Sequence, residues 1–212
     1  MRLRNVKNAG EIVNNSAYII KDEKSKKGSY KDIFANDNPI HIEIGMGKGD
    51  FIIGMAEKYP DINFIGIEKY ESVMVRAIQK LEDLNIPNLK LIRMDASEID
   101  EVFDHEIDTI YLNFSDPWPK ARHAKRRLTS PSFLDAYEKV FSGNPHIIQK
   151  TDNIGLFGYS LSSLSQNGYT LEEVSLDLAS TEIPNVCTEY EKKFMALGTK
   201  INYCNAVKYE KK

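Results

Sequence analysis

Four acidic residues follow short apolar runs at intervals that suit a ligand site in a parallel sheet. They are Glu43, Glu68, Asp95 and Asp116. In open parallel sheets, ligands bind beyond the carboxyl ends of the strands, so acids at these ends are candidates for ligand contact. Carboxylates accept hydrogen bonds and attract cations. The pattern therefore predicts a cleft that favours a positively charged ligand.

The first acid opens a glycine-rich turn, EIGMGKG (43–49). A dinucleotide fingerprint would need a third glycine at position 50, which is Asp50. A phosphate-binding P-loop would need Ser or Thr after Lys48, where Gly49 stands. Glycines let the backbone approach a ligand closely and tolerate positive φ. The turn therefore favours a nucleoside-containing cofactor without a pyrophosphate.

The chemistry of the other acids fits such a cofactor. Glu68 can accept hydrogen bonds from both ribose hydroxyls, and Asp95 can accept from an adenine amino group. Glu43 can face a cationic amino-acid group, directly or through water. S-adenosylmethionine, with its sulfonium and ammonium, fits these acids best. Each acid alone has another explanation, because acids at strand ends often cap the next helix.

The elements that must position these acids alternate along the chain. Apolar, β-branched runs predict seven strands, at 39–45, 63–68, 89–95, 107–115, 146–150, 169–178 and 200–209. Helical spacing and capping residues predict helices at 50–60, 72–85, 130–141, 153–167 and 189–197. Strand and helix in alternation indicate parallel βαβ units in an α/β fold. We expect Asp116 to end the fourth strand.

The length, composition and net charge of the chain limit the class of protein. The 212 residues suit one domain, which we place at 39–212 after a polar, irregular and partly mobile extension at 1–38. Two cysteines, no apolar leader and no run of about 20 apolar residues predict a cytoplasmic protein without a membrane span. No metal site is predicted. A net charge of −3 means that any nucleic-acid partner must be held by a local basic patch.

Such a patch follows Asp116 in the stretch YLNFSDPWPKARHAKRR (111–127). One carboxylate lies in a Pro-Trp-Pro turn, and five fixed positive charges come directly after it. These are Lys120, Arg122, Lys125, Arg126 and Arg127, with His123 among them. Clustered Lys and Arg neutralise phosphates of a nucleic acid. The stretch therefore predicts a polyanion path beside an acidic cleft.

The chain resembles the bacterial tRNA (guanine-N7-)-methyltransferases of the TrmB family from about residue 39 to its end. The motifs that carry the resemblance are EIGMGKG (43–49), FIGIE (64–68), LNFSDPWPKARHAKRRL (112–128), KTDN (150–153), GLFGYS (155–160) and TEYE (188–191). The segment with Asp-Pro-Trp-Pro and its basic tail is highly specific. The glycine turn alone indicates only a methyltransferase.

The resemblance implies a single Rossmann-like class I methyltransferase domain, with a mostly parallel seven-stranded sheet and an antiparallel last strand. It implies transfer of a methyl group from S-adenosylmethionine to N7 of a guanosine in the tRNA variable loop. It implies cofactor contacts at Glu43, Gly45, Gly47, Glu68, Asp95 and Asp116, with Asp116 also catalytic. It implies tRNA contacts at Lys120, the stretch 122–127, Asp152, Thr188, Glu189, Tyr190 and Glu191. No obligate protein partner is expected, and the chain is a monomer or a homodimer.

Two other functions remain open from the residues. One is methylation of an exocyclic amine in RNA or protein, whose Asn-Pro-Pro-aromatic turn is close to Ser115-Asp116-Pro117-Trp118. The charge at Asp116 and the missing second proline favour a ring nitrogen as the target. The other is an RNA-binding module with a degenerate nucleotide fold and no turnover. That function predicts loss of the cofactor acids, all of which are present.

Overall fold

Seven short apolar runs pair into one sheet in the computed structural model, which describes residues 6–209. The strands are β1 Ile40–Ile44, β2 Asn63–Ile67, β3 Leu89–Ile92, β4 Thr109–Asn113, β5 His146–Thr151, β6 Thr170–Ser175 and β7 Asn202–Val207. Their spatial order is β3-β2-β1-β4-β5-β7-β6. Neighbours from β3 to β5 pair in parallel, and β7 runs antiparallel to both β5 and β6. The predicted sheet, with its antiparallel last strand, is confirmed.

Helices cover both faces of this sheet. They are α1 Ala9–Asn15, α2 Tyr30–Phe34, α3 Asp50–Lys58, α4 Glu71–Leu81, α5 Ile99–Val102, α6 Pro131–Glu138, α7 Ile154–Gln166 and α8 Glu189–Met195. Short 3₁₀ turns lie at Glu23–Lys26, Ala96–Glu98, Ala121–Arg126 and Leu178–Ser180. The five predicted helices are present with shorter ends. None of the helices between residues 6 and 209 combines the length and apolarity that a membrane crossing needs.

The carboxyl ends of the first four strands lie along one edge of the sheet. Gly45 follows β1 directly and Glu68 follows β2 directly. The predicted third and fourth strands extended too far. β4 ends at Asn113, and Phe114 then adopts a left-handed φ of 51° that the ladder cannot accommodate. Asp116 therefore does not end the strand; it lies in a loop three residues beyond it.

The N-terminal segment packs into the same core as the rest of the chain. Ile19 forms a parallel bridge with Leu91 at the edge of β3. Tyr30 is fully buried, and its backbone N–H donates to Glu106 at 2.7 Å. The expectation of an irregular extension missed α1 and α2, because single anchoring residues rather than a periodic pattern hold this segment. Residues 1–5 lie outside the described chain, and mobility within the extension stays a prediction.

Candidate active site

The glycine turn combines an open side with a tightly packed end. Gly45 and Gly47 adopt φ values of 78° and 58°, and a Cβ added at either would meet no described atom within 4 Å. A Cβ at Gly49, where φ is 80°, would come within 2.8 Å of Ala77 Cβ on α4. The third glycine thus lets the turn pack against a helix. The first two leave space at the end of β1 that a ligand can occupy.

Glu43, two residues before Gly45, carries a buried carboxylate oxygen without a partner among the described residues. Its side chain is buried, and Oε1 accepts from Asn113 Nδ2 at 2.8 Å. Oε2 has no hydrogen-bond partner among the described residues, and neither does Asn113 Oδ1. Burial raises the pKa of Glu43 to about 7, against the lowering by Asn113 and by the positive charge of Lys150. A cationic ligand with N–H donors would satisfy both free oxygens and favour the ionised acid.

Glu68 is held by the backbone on both sides of it. Its carboxylate accepts from the N–H of Gly47 at 3.2 Å and from the N–H of Tyr70 at 2.9 Å. Burial raises the pKa of Glu68. The negative charge of Asp116 acts on the Glu68 pKa in the same direction, and both acids follow strands that flank β1, at the same edge of the sheet.

Asp95 differs from the other acids because its carboxylate is already fully engaged. Oδ1 accepts from the backbone N–H of Ser97 at 3.0 Å, which caps the following 3₁₀ turn. Oδ2 pairs with Lys69 at 2.6 Å. The hydrogen bond from Lys69 lowers the pKa of Asp95 to about 2. Asp95 therefore caps the following turn, which is the alternative explanation for an acid at a strand end. Its contact with a cofactor stays a prediction.

Asp116 is exposed in the Asp116 loop, which we define as residues 114–119. Arg127 holds this loop in place with two hydrogen bonds. Its Nε donates to the Pro117 carbonyl at 3.1 Å, and its Nη2 donates to the Trp118 carbonyl at 3.0 Å. Its Cζ also lies 4.2 Å from the centroid of the Tyr159 ring. Arg127 is half-buried, whereas the other Lys and Arg residues of the basic stretch are exposed. The sequence did not reveal this role, and RNA contact by Arg127 stays a prediction.

The remaining basic residues project from the 3₁₀ turn that follows. Lys120, Arg122 and Lys125 are exposed and pair with no acid among residues 6–209. Trp118 is covered by neighbours, since Arg126 Cζ lies 4.9 Å from its ring and His123 packs edge-on at 5.7 Å. The turn therefore presents free positive charge directly after the Asp116 loop.

The predicted C-terminal substrate residues lie in the 184–195 segment, which ends in α8. Thr188 and Glu191 form a capping box at the helix start, as predicted. The Tyr190 hydroxyl donates to Asp152 at 3.0 Å, and the Tyr190 ring lies 5.0 Å from the Phe114 ring. The segment thus meets both the end of β5 and the Asp116 loop.

Two of the predicted residues in this segment are paired with lysines. Glu189 pairs with Lys48 of the glycine turn at 2.8 Å, and both are exposed. Glu191 is fully buried and pairs with Lys150 of β5 at 2.8 Å. Sequence reasoning assigned no role to Lys150 or to Asn113. The available signals were a polar residue within an apolar strand and the place of both residues in motifs that carry the resemblance. In the described chain no group of His, Cys, Asp or Glu could hold a metal ion.

Solved structures share this architecture. The chain matches one described as "Structure of an Antibiotic Related Methyltransferase" with a TM-score of 0.65 at 17% identity, over 90% of this chain and 96% of the other. It matches the 16S rRNA methyltransferase KamB with a TM-score of 0.67 at 11% identity, over 85% and 93%. The strand order and the glycine turn of β1 define a class I methyltransferase, for which S-adenosylmethionine is the methyl donor.

Sequence comparison narrows the class. A profile of the family described as "Putative methyltransferase" matches residues 37–204. The tRNA (guanine-N(7)-)-methyltransferase of Oceanobacillus iheyensis is 51% identical over 97% of this chain and 98% of that protein. The enzyme of that name from Bacillus velezensis is 52% identical over 95% and 94%. The chain belongs to the tRNA (guanine-N(7)-)-methyltransferase family.

Proposed function

We propose that the chain transfers the methyl group of S-adenosylmethionine to N7 of a guanosine in the variable loop of tRNA. The observation that carries the proposal is that two charged surfaces meet at one edge of the sheet: the acids Glu43 and Glu68 at the ends of the neighbouring strands β1 and β2, and, beyond the adjacent strand β4, Asp116 followed directly by a turn of cations that pair with no acid among residues 6–209. Family membership supports the same reaction. The first surface suits a cationic cofactor, and the second suits a polyanion.

When bound, S-adenosylmethionine supplies an electrophilic methyl group on a sulfonium. Glu43 Oε2 and Asn113 Oδ1, which are both buried and have no hydrogen-bond partner among the described residues, would accept from its ammonium. Glu68, held in place by two backbone N–H groups, would accept from its ribose hydroxyls. Gly45 and Gly47 leave space in which the cofactor could contact the protein backbone of the turn. Asp95 would accept from the adenine amino group once Lys69 moves aside.

The target atom dictates what the protein must do. Guanine N7 carries an in-plane lone pair and no proton, so it needs no general base. Catalysis then depends on alignment with the methyl group and on stabilisation of the guanine as it becomes cationic. Asp116 supplies a carboxylate next to this position, and the fastening of its loop by Arg127 limits reorganisation of that charge. Asp152 and Tyr190 would contact the guanine from the other side.

The cations of the turn 120–126 would hold the tRNA backbone. Lys120, Arg122 and Lys125 are free to contact phosphates, whereas Arg126 also packs on Trp118. Because their charge is local, the protein can remain acidic overall. The reaction requires only this chain, the cofactor and tRNA, so we propose no obligate protein partner, in a monomer or homodimer that acts in the cytoplasm.

An exocyclic amine as the methyl acceptor is the second candidate. It would need acceptors for the N–H protons of the target, as an asparagine amide and a carbonyl provide. Position 116 instead carries a full charge, which suits a base that becomes cationic. This difference favours the ring nitrogen.

Radiolabel transfer tests the proposal. The purified chain is incubated with labelled S-adenosylmethionine and bulk tRNA, and the product is treated with aniline, which cleaves at 7-methylguanosine. We expect incorporated label and cleavage in the variable loop. Label without cleavage would indicate an amine target, and no incorporation of label would indicate a binding module.

A further inference from the structure

Lys150 is a buried cation whose side chain forms hydrogen bonds with one segment that is distant in the chain. It lies on β5 with only 3% of its side chain exposed. Its Nζ donates to Glu191 Oε2 at 2.8 Å, to Asn185 Oδ1 at 2.9 Å and to the Val186 carbonyl at 3.0 Å. An ammonium has three donors, so all of them are used within residues 185–191. The contact fixes the 184–195 segment in three directions against the sheet.

The backbone of Lys150 forms a hydrogen bond with the Asp116 loop. Its carbonyl accepts from the N–H of Phe114 at 2.8 Å, at the point where the Asp116 loop leaves β4. One residue therefore holds the starts of both the Asp116 loop and the 184–195 segment. Phe114 and Tyr190 from these two parts meet at 5.0 Å between ring centroids.

We propose that Lys150 is a positioning residue for methyl transfer, which sets the separation between Asp116 and the substrate residues of the 184–195 segment. The inference rests on the proposed function, in which guanine binds between these two parts. Displacement of a substrate by about 1 Å can lower turnover by 10²-fold, so a fixed separation matters for rate. Lys150 itself contacts neither the guanine nor the cofactor.

A buried ion pair is poor evidence of stabilisation, and this makes the role testable. Replacing both members of such a pair by apolar residues of similar volume is often neutral for stability, whereas removing one leaves an unpaired buried charge. The informative variant is therefore the double change Lys150→Met and Glu191→Met. It removes the directional contacts and leaves no buried charge.

The experiment compares the parent chain with this double variant at a temperature well below both melting midpoints. We expect kcat at saturating tRNA to fall about tenfold or more, because alignment is lost. The Kd for S-adenosylmethionine, measured by calorimetry at pH 8, should stay within about twofold of the parent, because no cofactor contact is removed and the ion pair is removed as a whole, which leaves the net charge near Glu43 unchanged. If the pair is purely structural, the double variant should differ from the parent in melting temperature and keep both the kcat and the S-adenosylmethionine Kd of the parent.

A milder variant keeps the test informative if the double variant does not fold. Asn185→Ala removes one of the three Nζ acceptors at a half-buried position. We expect a smaller fall in kcat, about threefold to tenfold, with unchanged cofactor affinity. Glu182→Ala is the matched control, since Glu182 is exposed in the same part of the chain and its side chain bonds to none of the residues 6–209. It should retain the parent rate.

The outcomes separate the inference from the proposed function. A parent chain that forms no 7-methylguanosine in tRNA would reject the proposed function itself. An active parent with a folded double variant of equal kcat, or an Asn185→Ala variant of parent rate, would overturn the role of Lys150 alone. Loss of S-adenosylmethionine affinity in either variant would also overturn it, because the residue would then act on the cofactor.

Discussion

The two proposed parts of the site, a cofactor half with Glu43 and Glu68 and a substrate half with the Asp116 loop and the 184–195 segment, are held in different ways. In the cofactor half, Glu43 lies near the end of β1 and Glu68 follows β2 directly, and backbone N–H groups of Gly47 and Tyr70 hold the Glu68 carboxylate. In the substrate half, side chains outside each loop hold it in place: Arg127, nine and ten residues further along the chain, binds two carbonyls of the Asp116 loop, and Lys150 binds the more distant 184–195 segment. The first half thus depends on strand register. The second depends on a few specific side-chain contacts, so we expect substitutions there to affect turnover more than binding of cofactor.

The largest effect that this comparison predicts is at Asp116. The change Asp116→Asn keeps the size of the side chain and removes its charge, so folding and tRNA binding should survive. Turnover should fall about 10²-fold or more if the charge contributes around 3 kcal/mol to the transition state. The check is single-turnover methylation of tRNA with saturating cofactor. An Asn variant that melts lower yet methylates at the parent rate would mean that Asp116 only caps the turn.

Glu43 should make the stability of the cofactor half depend on pH. The pKa of Glu43 in the folded chain is about 7, above its ordinary value of 4.5, so between these values the folded state binds more protons than the unfolded state. Stability should therefore fall as pH rises from about 4.5 to about 7, by up to about 3 kcal/mol. The change Glu43→Gln should remove this loss and leave a more stable protein at pH 8.

Denaturant unfolding of the parent and of Glu43→Gln across this pH range measures the difference. Glu57→Gln, at an exposed position on α3, is the control and should follow the parent. If the parent and the Glu43→Gln variant differ by the same amount at pH 5 and at pH 8, Glu43 does not carry a raised pKa. The same variant should bind S-adenosylmethionine more weakly, since the ammonium loses its counter-charge.

Glu68→Ala should weaken S-adenosylmethionine binding by about 1–3 kcal/mol, because charge-assisted hydrogen bonds to ribose are removed. Its effect on tRNA affinity should be small if the two halves are separate. Calorimetry with the cofactor provides the measurement, and Glu82→Ala at an exposed position after α4 provides the control. Unchanged cofactor affinity in a folded Glu68→Ala variant would contradict the assignment.

The smallest effect concerns the cations beside the cleft. Replacing Arg122 and Lys125 by Gln should flatten the salt dependence of tRNA binding by about 0.7–0.9 log unit for each phosphate that is no longer neutralised. Cofactor affinity should not change. The matched control replaces Lys21 and Lys26 by Gln, because both are exposed in another lysine-rich stretch. Equal slopes for the two double variants would mean that the turn 120–126 is an ordinary solvated surface.

Much of the fold followed from the sequence because its signals are local. The spacing of apolar residues predicted the seven strands and the main helices, and Thr188 with Glu191 predicted the start of α8. The exact ends of β3 and β4 did not follow, because nothing in the apolar run marks where pairing stops. The N-terminal helices were missed for a related reason. Their stability comes from anchors such as Tyr30, whose partners lie in the core rather than nearby in sequence.

The sequence by itself determined where the proposed cofactor residues lie: an acid, a glycine turn and a second acid at successive strand ends must meet at one edge of a parallel sheet. It also determined that positive charge follows Asp116 directly. Only the tertiary structure decided how the substrate half is held. Glu191 reads as a helix cap in sequence, yet it is also the counter-ion of Lys150, and Arg127 reads as a phosphate contact, yet it binds loop carbonyls. A buried charge is tolerated only where a partner reaches it, and chain folding alone brings such partners together.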